Sequence, residues 1–160
     1  LDAHIAGYAN EAGKACVIVV NKWDLSEKTQ ADFRQHVRDQ LKFLAYAPIT
    51  FTSALTGDRV ENLFPLILQG NTAARSRIPT SVLNRFLAEV DFDRVTVPGY
   101  HKPKISYVTQ ASIAPPTFIF FTNRAEPFHY GLERYLTNQL RGTFGFDGTP
   151  IVVRSKLKRR

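Results

Sequence analysis

Two short polar segments of this sequence carry residue types suited to binding a small molecule. The first is Asn21-Lys22-Trp23-Asp24, which follows the apolar run at residues 17–20. The second is Ser53-Ala54-Leu55, which follows another short run at residues 49–52. Such runs predict buried strands of a parallel sheet, with the first as a central strand, and parallel sheets bind ligands beyond the carboxyl ends of their strands. Both polar segments follow the carboxyl end of a predicted strand.

The aspartate of the first segment has the chemistry to select guanine. A carboxylate at Asp24 can accept two charge-assisted hydrogen bonds, from the ring N–H and the exocyclic amine that guanine has and adenine lacks. Asn21 can bond the base edge and the neighbouring loop, and the Lys22 stem can lie across the purine face. We expect Trp23 to pack beneath. A four-residue pattern of this kind is also compatible with a polar turn after a buried strand.

The second segment supplies small residues, which let the backbone approach a ligand. We expect the backbone N–H groups of Ser53 and Ala54 to reach the guanine carbonyl oxygen, and Gly57 permits the turn that such a loop needs. Alone, this segment also fits an ordinary turn between a strand and a helix. The ordered pair of segments favours a nucleotide site.

These segments resemble the fourth and fifth guanine-recognition motifs of the P-loop GTPases. Further matches narrow the resemblance to the C-terminal part of the Der (EngA) family of bacterial ribosome-assembly GTPases, and it extends over essentially the whole chain. The matching segments are residues 5–8, 11–14, 115–118, 133–141 and 144–151.

The resemblance implies a fold, a ligand and partners. The family carries two tandem GTPase domains and a KH-like domain, and it acts in maturation of the large ribosomal subunit. Residues 1–76 then form the C-terminal half of a GTPase doubly wound sheet, and residues 77–160 form a KH-like domain, an α/β part followed by an α+β part. GTP or GDP is the implied ligand, and the large subunit with its rRNA is the implied partner. The implied base-contacting residues are Asn21, Lys22, Trp23, Asp24, Ser53, Ala54 and Leu55.

The phosphate half of a GTPase site is missing from the sequence. No Gly-x-x-x-x-Gly-Lys-Ser/Thr occurs, and the chain starts at Leu1 and contains no Met. In the family, the phosphate loop, the magnesium ligands and the switch segments precede the Asn-Lys-x-Asp motif. We therefore expect a fragment that does not hydrolyse GTP alone, whose catalytic residues lie upstream, and which meets Mg²⁺ only in the complete protein.

The pattern of the first part predicts the order helix, strand, helix, strand, helix. The first helix covers residues 1–12, and Thr29 with Asp32 forms a capping box for the second. The third helix carries Pro65 in its first turn or at a kink, and residues 70–80 form either a linker or the frayed end of that helix.

The pattern of the second part predicts the order helix, strand, strand, helix, strand, which is that of a KH-like fold. Thr80 caps the first helix, residues 97–103 form a loop, and the last helix ends at Gly142. The predicted strands are residues 105–111, 117–122 and 150–154.

Positive charge is concentrated in the second part. Residues 1–78 hold nine Lys/Arg against eight Asp/Glu, a net of +1, whereas residues 79–160 hold twelve against six, a net of +6. Such a surface predicts salt-sensitive, mostly sequence-independent RNA contact, although scattered solvated charge is the alternative. The candidate RNA contacts are Lys102, Lys104, Arg124, Arg134, Arg141, Lys156, Lys158, Arg159 and Arg160.

Other chemistry has little support. Gly142-Thr143-Phe144-Gly145 spells the Gly-x-x-Gly of KH clamp loops, but too few residues follow for the second helix that such a loop needs, so we interpret it as a helix end and turn. Phe118, Phe120 and Phe121 are predicted core residues and not a base-stacking platform. The four histidines are scattered, so no metal site is expected.

The remaining expectations concern compartment and assembly. The chain has 160 residues, 44% of them hydrophobic, with neither a membrane span nor a secretory signal pattern. Its single cysteine, Cys16, is predicted to be a buried residue in a reducing, cytoplasmic compartment, and we expect a monomer. Two alternatives to a GTPase fragment remain: an RNA- or protein-binding module with no nucleotide function, and a purely structural protein.

Overall fold

The computed structural model describes residues 2–95 and 99–158, which form two compact units. The first unit consists of residues up to Arg75 together with Phe146–Pro150, and the second consists of Ser76–Gly145 and the residues from Ile151 onward. The chain therefore passes through most of the second unit, returns to the first unit for five residues, and then completes the second unit. The division at residue 76 from sequence did not include this return.

The first unit is built on two short parallel strands. Strands β1 (Ile18–Val20) and β2 (Ile49–Phe51) pair in parallel, and their register places Val20 opposite Phe51. Helices α1 (Asp2–Glu11), α2 (Gln30–Gln40) and α3 (Leu63–Arg75) complete the predicted alternation of helices and strands.

Two expectations for the first strand are wrong. Within residues 2–95 and 99–158, β1 pairs with β2 alone, and Val19 is 43% exposed, so β1 is an edge strand and not a central one. Cys16 precedes β1 and is half-buried. Cys16 is therefore not the buried residue that the apolar run predicted.

Helix α2 is fixed at both ends by side chains that bind backbone. Thr29 Oγ1 accepts the Asp32 N–H at 3.2 Å, which confirms the predicted capping pair. The Arg38 guanidinium donates to the carbonyl oxygens of Leu44 at 3.0 Å and Ala47 at 2.7 Å. Burial, and then the positive charge of Arg34, lowers the pKa of Arg38 below its usual value. These bonds hold α2 against the segment that leads into β2.

Helix α3 begins as predicted and ends later. Pro65 is its third residue, in the first turn, where a missing backbone N–H has no helical partner to lose. The helix continues to Arg75, so residues 70–75 are the end of the helix, which was one of the two alternatives, and not a linker. Gly70 and Ala74 are its buried residues, so small side chains continue a helix whose apolar periodicity has faded.

The second unit has the αββαβ order of a KH-like fold. Its elements are α4 (Thr80–Glu89), β3 (Ile105–Ser112), β4 (Thr117–Thr122), α5 (Tyr130–Phe144) and β5 (Val152–Leu157). The sheet order is β3-β4-β5, with the first pair antiparallel and the second parallel.

Three boundaries of this unit differ from prediction. Pro79, and not Thr80, occupies the N-cap of α4, and no side chain caps the helix there. The proline ring fixes the backbone φ at this position. Helix α5 passes through Gly142 and stops at Gly145, whose φ of 86° ends the helical conformation. Strand β5 starts at Val152 and not at Pro150, which has no backbone N–H to donate.

The core of the second unit lies between one sheet face and the helices. Phe118 and Phe120 of β4 are fully buried, as the sequence predicted. Asn84 of α4 binds the free edge of β3, since its side chain accepts the Val108 N–H at 3.0 Å and donates to the Val108 carbonyl at 2.9 Å. The other fully buried core residues are Leu83, Val108, Leu132, Leu136 and Leu140.

Some expectations fall outside the described residues. They are the structure of Leu1, part of the loop predicted at residues 97–103, and the RNA contacts of Arg159 and Arg160. Among the helices of residues 2–95 and 99–158, none has the length and apolar character needed to cross a membrane.

Candidate functional site

The two polar segments lie side by side at the same end of β1 and β2. Because the strands are parallel and in register, their following loops leave the sheet together. The Asn21 side-chain oxygen accepts the Ala54 N–H at 3.0 Å. The backbone N–H of Trp23 donates to the Thr52 carbonyl at 3.0 Å. These two hydrogen bonds join the loops directly.

The first loop is anchored by its tryptophan and exposes its charged residues. Lys22 adopts a left-handed conformation with φ of 58°, and a single 3₁₀ turn, Trp23–Leu25, follows it. The Trp23 ring packs edge-on against Phe33 and Phe51, with ring centroids 5.7 and 4.4 Å away. Asn21, Lys22 and Asp24 are exposed. Packing of one residue thus holds a loop whose polar side chains face solvent.

The second loop is held by Ser53, which is 1% exposed. Its N–H donates to the Asp58 carbonyl at 3.1 Å, and its Oγ accepts the Thr56 N–H at 3.3 Å. Gly57 closes the loop with φ of 79°. Both amides that we expected to bind a ligand therefore have acceptors in the protein, since Ala54 donates to the first loop. A ligand that uses either amide must replace that acceptor.

A cavity of about 430 Å³ opens beside the first loop. Its lining comes from residues 20–23, residues 25–28 and Phe33. Among the described residues, neither Asp24 nor any residue of the second loop contributes to this lining. The geometry thus joins the two loops, while the open volume adjoins the first loop alone.

Five of the predicted basic residues of the second unit fall into two groups. Lys104, Lys156 and Lys158 gather at one end of the three-stranded sheet, around adjoining cavities of about 410 and 480 Å³. Lys102 donates to the Phe92 carbonyl at 2.6 Å, and Arg124 donates to the His101 carbonyl at 3.1 Å. The lysines at the sheet end form a cluster, whereas the other two bind neighbouring loops.

The two remaining described candidates, Arg134 and Arg141, lie on α5. Gly142 lies inside the same helix, and Gly145 leads through an irregular segment directly into β5. No second helix lies between the end of α5 and the start of β5, a stretch in which every residue is described. The Gly-x-x-Gly sequence is therefore not a clamp between two helices.

Sequence reasoning missed the outward face of the three-stranded sheet, which is the side opposite the helices. Tyr107, Phe121 and Lys156 stand opposite one another on β3, β4 and β5. Phe121 is half-buried on this face and is therefore not a core residue like Phe118 and Phe120, which corrects one prediction. The period of two along β4 was the available signal, because adjacent strand residues face opposite sides.

The fold of the second unit agrees with a known family. The model of the family described as KH-domain-like of EngA bacterial GTPase enzymes, C-terminal, matches residues 77–156, which is half of the chain. The chain belongs to the EngA GTPase family. The match covers α4 through all but the last residue of β5, and so includes the whole αββαβ arrangement.

Similarity to EngA-type proteins extends across both units. The chain is 49% identical to "GTPase Der" of Acetivibrio thermocellus over 98% of this chain and 37% of the relative. It is also 49% identical to "GTPase Der" of Moorella thermoacetica, over 94% of this chain and 35% of the relative. For "GTPase Der" of Halalkalibacterium halodurans the identity is 44%, over 98% and 37%. The chain spans a little over one third of the length of these relatives.

Proposed function

We propose that this chain supplies guanine recognition and rRNA contact to a ribosome-assembly GTPase. The observation that carries the proposal is the pair of hydrogen bonds, from Ala54 to Asn21 and from Trp23 to Thr52, that joins the two loops at the ends of parallel strands. Similarity to proteins named GTPase Der over nearly the whole chain supports the same function.

In this proposal, each loop residue has a defined part. The exposed Asp24 carboxylate accepts the guanine ring N–H and exocyclic amine, and the Lys22 stem covers the base. Asn21 positions the second loop, which presents Ala54 and Leu55, while Ser53 keeps that loop folded. Trp23 holds the first loop on the core and leaves Lys22 and Asp24 free for the ligand.

In this proposal the two loops contact the base of a guanine nucleotide and not its phosphates. Phosphate binding, the Mg²⁺ that neutralises phosphate charge and the hydrolytic residues belong to the upstream part of the whole protein in this proposal. This chain positions the nucleotide through its base. We place the whole protein in the cytoplasm, where it acts on the large ribosomal subunit.

Competition between nucleotides in the whole protein tests the guanine site. In equilibrium titrations, GDP, inosine diphosphate and ADP would each compete with a fluorescent GDP analogue for the site. Inosine lacks the exocyclic amine, so we expect about tenfold weaker binding from the loss of one charged hydrogen bond. ADP also presents the wrong ring edge, and we expect it to bind at least about a hundredfold more weakly. Comparable affinities for GDP and ADP would contradict the proposal.

Filter binding of this chain to large-subunit rRNA at two salt concentrations tests the second unit. The net charge of +6 on residues 79–160 predicts binding that weakens steeply as salt rises, because phosphate contacts release counterions. Absent or salt-independent binding would remove the rRNA contact from the proposal and leave the nucleotide site unaffected.

The cavity beside the first loop favours a second candidate, an RNA- or protein-binding module without nucleotide function. Its described lining does not include Asp24. This candidate predicts that the site made by the two loops binds neither GDP nor ADP, together with salt-sensitive rRNA binding, so the two titrations distinguish it from the first proposal.

A further inference from the structure

We propose that the outward face of the sheet in the second unit binds single-stranded RNA, with bases stacked on Tyr107 and Phe121. We define the outward face as the sheet side opposite the helices. It carries Tyr107, Phe121 and Lys156 in one row across the strands, and Thr109, Ile119 and Arg154 in the next row. The proposal rests on the proposed rRNA contact and specifies its site.

The two aromatic side chains form one continuous patch. Tyr107 and Phe121 are directly opposite in the antiparallel pair, and their ring centroids are 5.6 Å apart with an angle of 52° between the planes. Tyr107 is 39% exposed, and Phe121 is half-buried beside it. Neighbouring rings on an open sheet surface offer π faces to unpaired bases, which stack on aromatic side chains with little regard to sequence.

The core of this unit does not need these two rings. Phe118 and Phe120 are each 0% exposed and face the helices, on the other side of the same strand. The alternation along β4 thus divides its phenylalanines between a core side and an outward side. An aromatic pair left at the surface of a basic unit is the kind of patch that marks a binding site.

The charge around the rings favours RNA as the occupant. Arg154 and Lys156 are exposed on β5 and share the outward face with the aromatic pair. Strands β3, β4 and β5 contain no aspartate or glutamate in any position. Cations next to flat rings, without a nearby strand carboxylate, match a ligand that has both phosphates and bases.

A cavity at the end of the sheet can hold the RNA backbone next to the two rings. About 480 Å³ of open volume is lined by Ser106, Tyr107, Phe121, Lys156, Leu157 and Lys158. The adjoining volume of about 410 Å³ adds Lys104. The three lysines therefore border the space next to the rings, where they can bind phosphates of nucleotides that flank the stacked bases. This site uses the sheet face and not the Gly-x-x-Gly segment at the end of α5.

Fluorescence anisotropy of the 160-residue chain with labelled oligoadenylate tests the proposal. We expect the single strand to bind more tightly than its duplex with oligouridylate, because only unpaired bases can stack. Tyr107→Leu and Phe121→Leu keep an apolar side chain on the strand and remove the ring, and each should weaken single-strand binding at least about fivefold. Circular dichroism identifies any variant that fails to fold, and the other leucine variant then decides.

Two matched controls separate stacking and local charge from general effects. Tyr130 is 70% exposed at the start of α5, so Tyr130→Leu removes an exposed tyrosine from another surface and should leave binding within about twofold. Lys156→Gln should lower the slope of log affinity against log salt by about one. Arg85→Gln, an exposed position on α4, should lower affinity less than Lys156→Gln.

The outcomes distinguish failure of the site from failure of the proposed rRNA contact. If the wild-type chain does not bind RNA, the rRNA contact is wrong and the stacking site with it. If the wild type binds but both leucine variants bind equally well, the stacking site alone is overturned, and the face is then a candidate for docking a protein. Equal losses in Lys156→Gln and Arg85→Gln would assign binding to diffuse charge and also overturn it.

Discussion

The return of the chain to the first unit depends on one glycine. Gly148 donates its N–H to the Tyr46 carbonyl at 2.9 Å and accepts the Cys16 N–H at 2.8 Å. Its φ is +80°, and a Cβ added there would lie 3.0 Å from the Cα of Gly70 in α3. Gly148→Ala therefore places a methyl group against a helix backbone that has no side chain to move aside.

The expected loss of stability has two parts. A left-handed conformation costs an L-residue with a Cβ about 1–2 kcal/mol. Overpacking against backbone adds about 1–3 kcal/mol, since carbon atoms prefer separations of about 3.5–4.0 Å. Gly57→Ala is the matched control, because its φ is +79° and nothing lies within 4 Å of the added Cβ. We expect Gly57→Ala to show the first loss alone.

Urea unfolding followed by tryptophan fluorescence measures this difference. Trp23 is the single tryptophan and belongs to the first unit, so its signal reports that unit selectively. We expect both variants to lower the free energy of unfolding, with Gly148→Ala the less stable by about 1–3 kcal/mol. Equal stability of the two variants would refute the close packing of residues 146–150 on α3.

Three further substitutions test single contacts. Arg38→Gln should cost the first unit about 1–3 kcal/mol, because its guanidinium binds two carbonyl oxygens, whereas exposed Lys42→Gln should change stability by less than about 0.5 kcal/mol in the same urea assay. Asn84→Ala leaves the edge of β3 without its side-chain partner and should cost about 1–3 kcal/mol by thermal circular dichroism. Exposed Asn138→Ala on α5 controls for helix propensity, and equal melting of the two variants would contradict the edge contact. Asn21→Ala in the whole protein should weaken GDP binding roughly threefold to tenfold through loss of the bond between the loops, and unchanged affinity would contradict that role.

Much of the fold was predictable because local patterns dictate it. The capping pair before α2 and the apolar run of β4 are short-range signals, and they predicted the elements correctly. The end of α3 was not predictable from periodicity, since its last turns are small residues whose burial depends on neighbours. The cap of α4 was assigned to Thr80, although the preceding proline already fixes the backbone there.

The site was predictable in part for the same reason. Residue types indicated both loops, and parallel pairing of their strands brings the loops together as expected. The direction of the Ser53 amide depends on the Asp58 carbonyl within the loop, which no motif specifies. The docking of Gly148 joins positions far apart in sequence, and the pairing of Tyr107 with Phe121 depends on strand register. Neither follows from a local pattern.

The nucleotide preference of Asp24→Asn in the whole protein tests the central claim most directly. An asparagine amide donates where the carboxylate accepted, so the side chain now suits the carbonyl group that xanthine carries in place of the guanine amine. At the site that this chain completes, we predict that GTP binding falls about tenfold to a hundredfold and that xanthosine triphosphate becomes the preferred nucleotide, while the other GTPase domain that the resemblance implies keeps its preference for GTP. Unchanged selectivity for GTP would contradict guanine recognition by this loop.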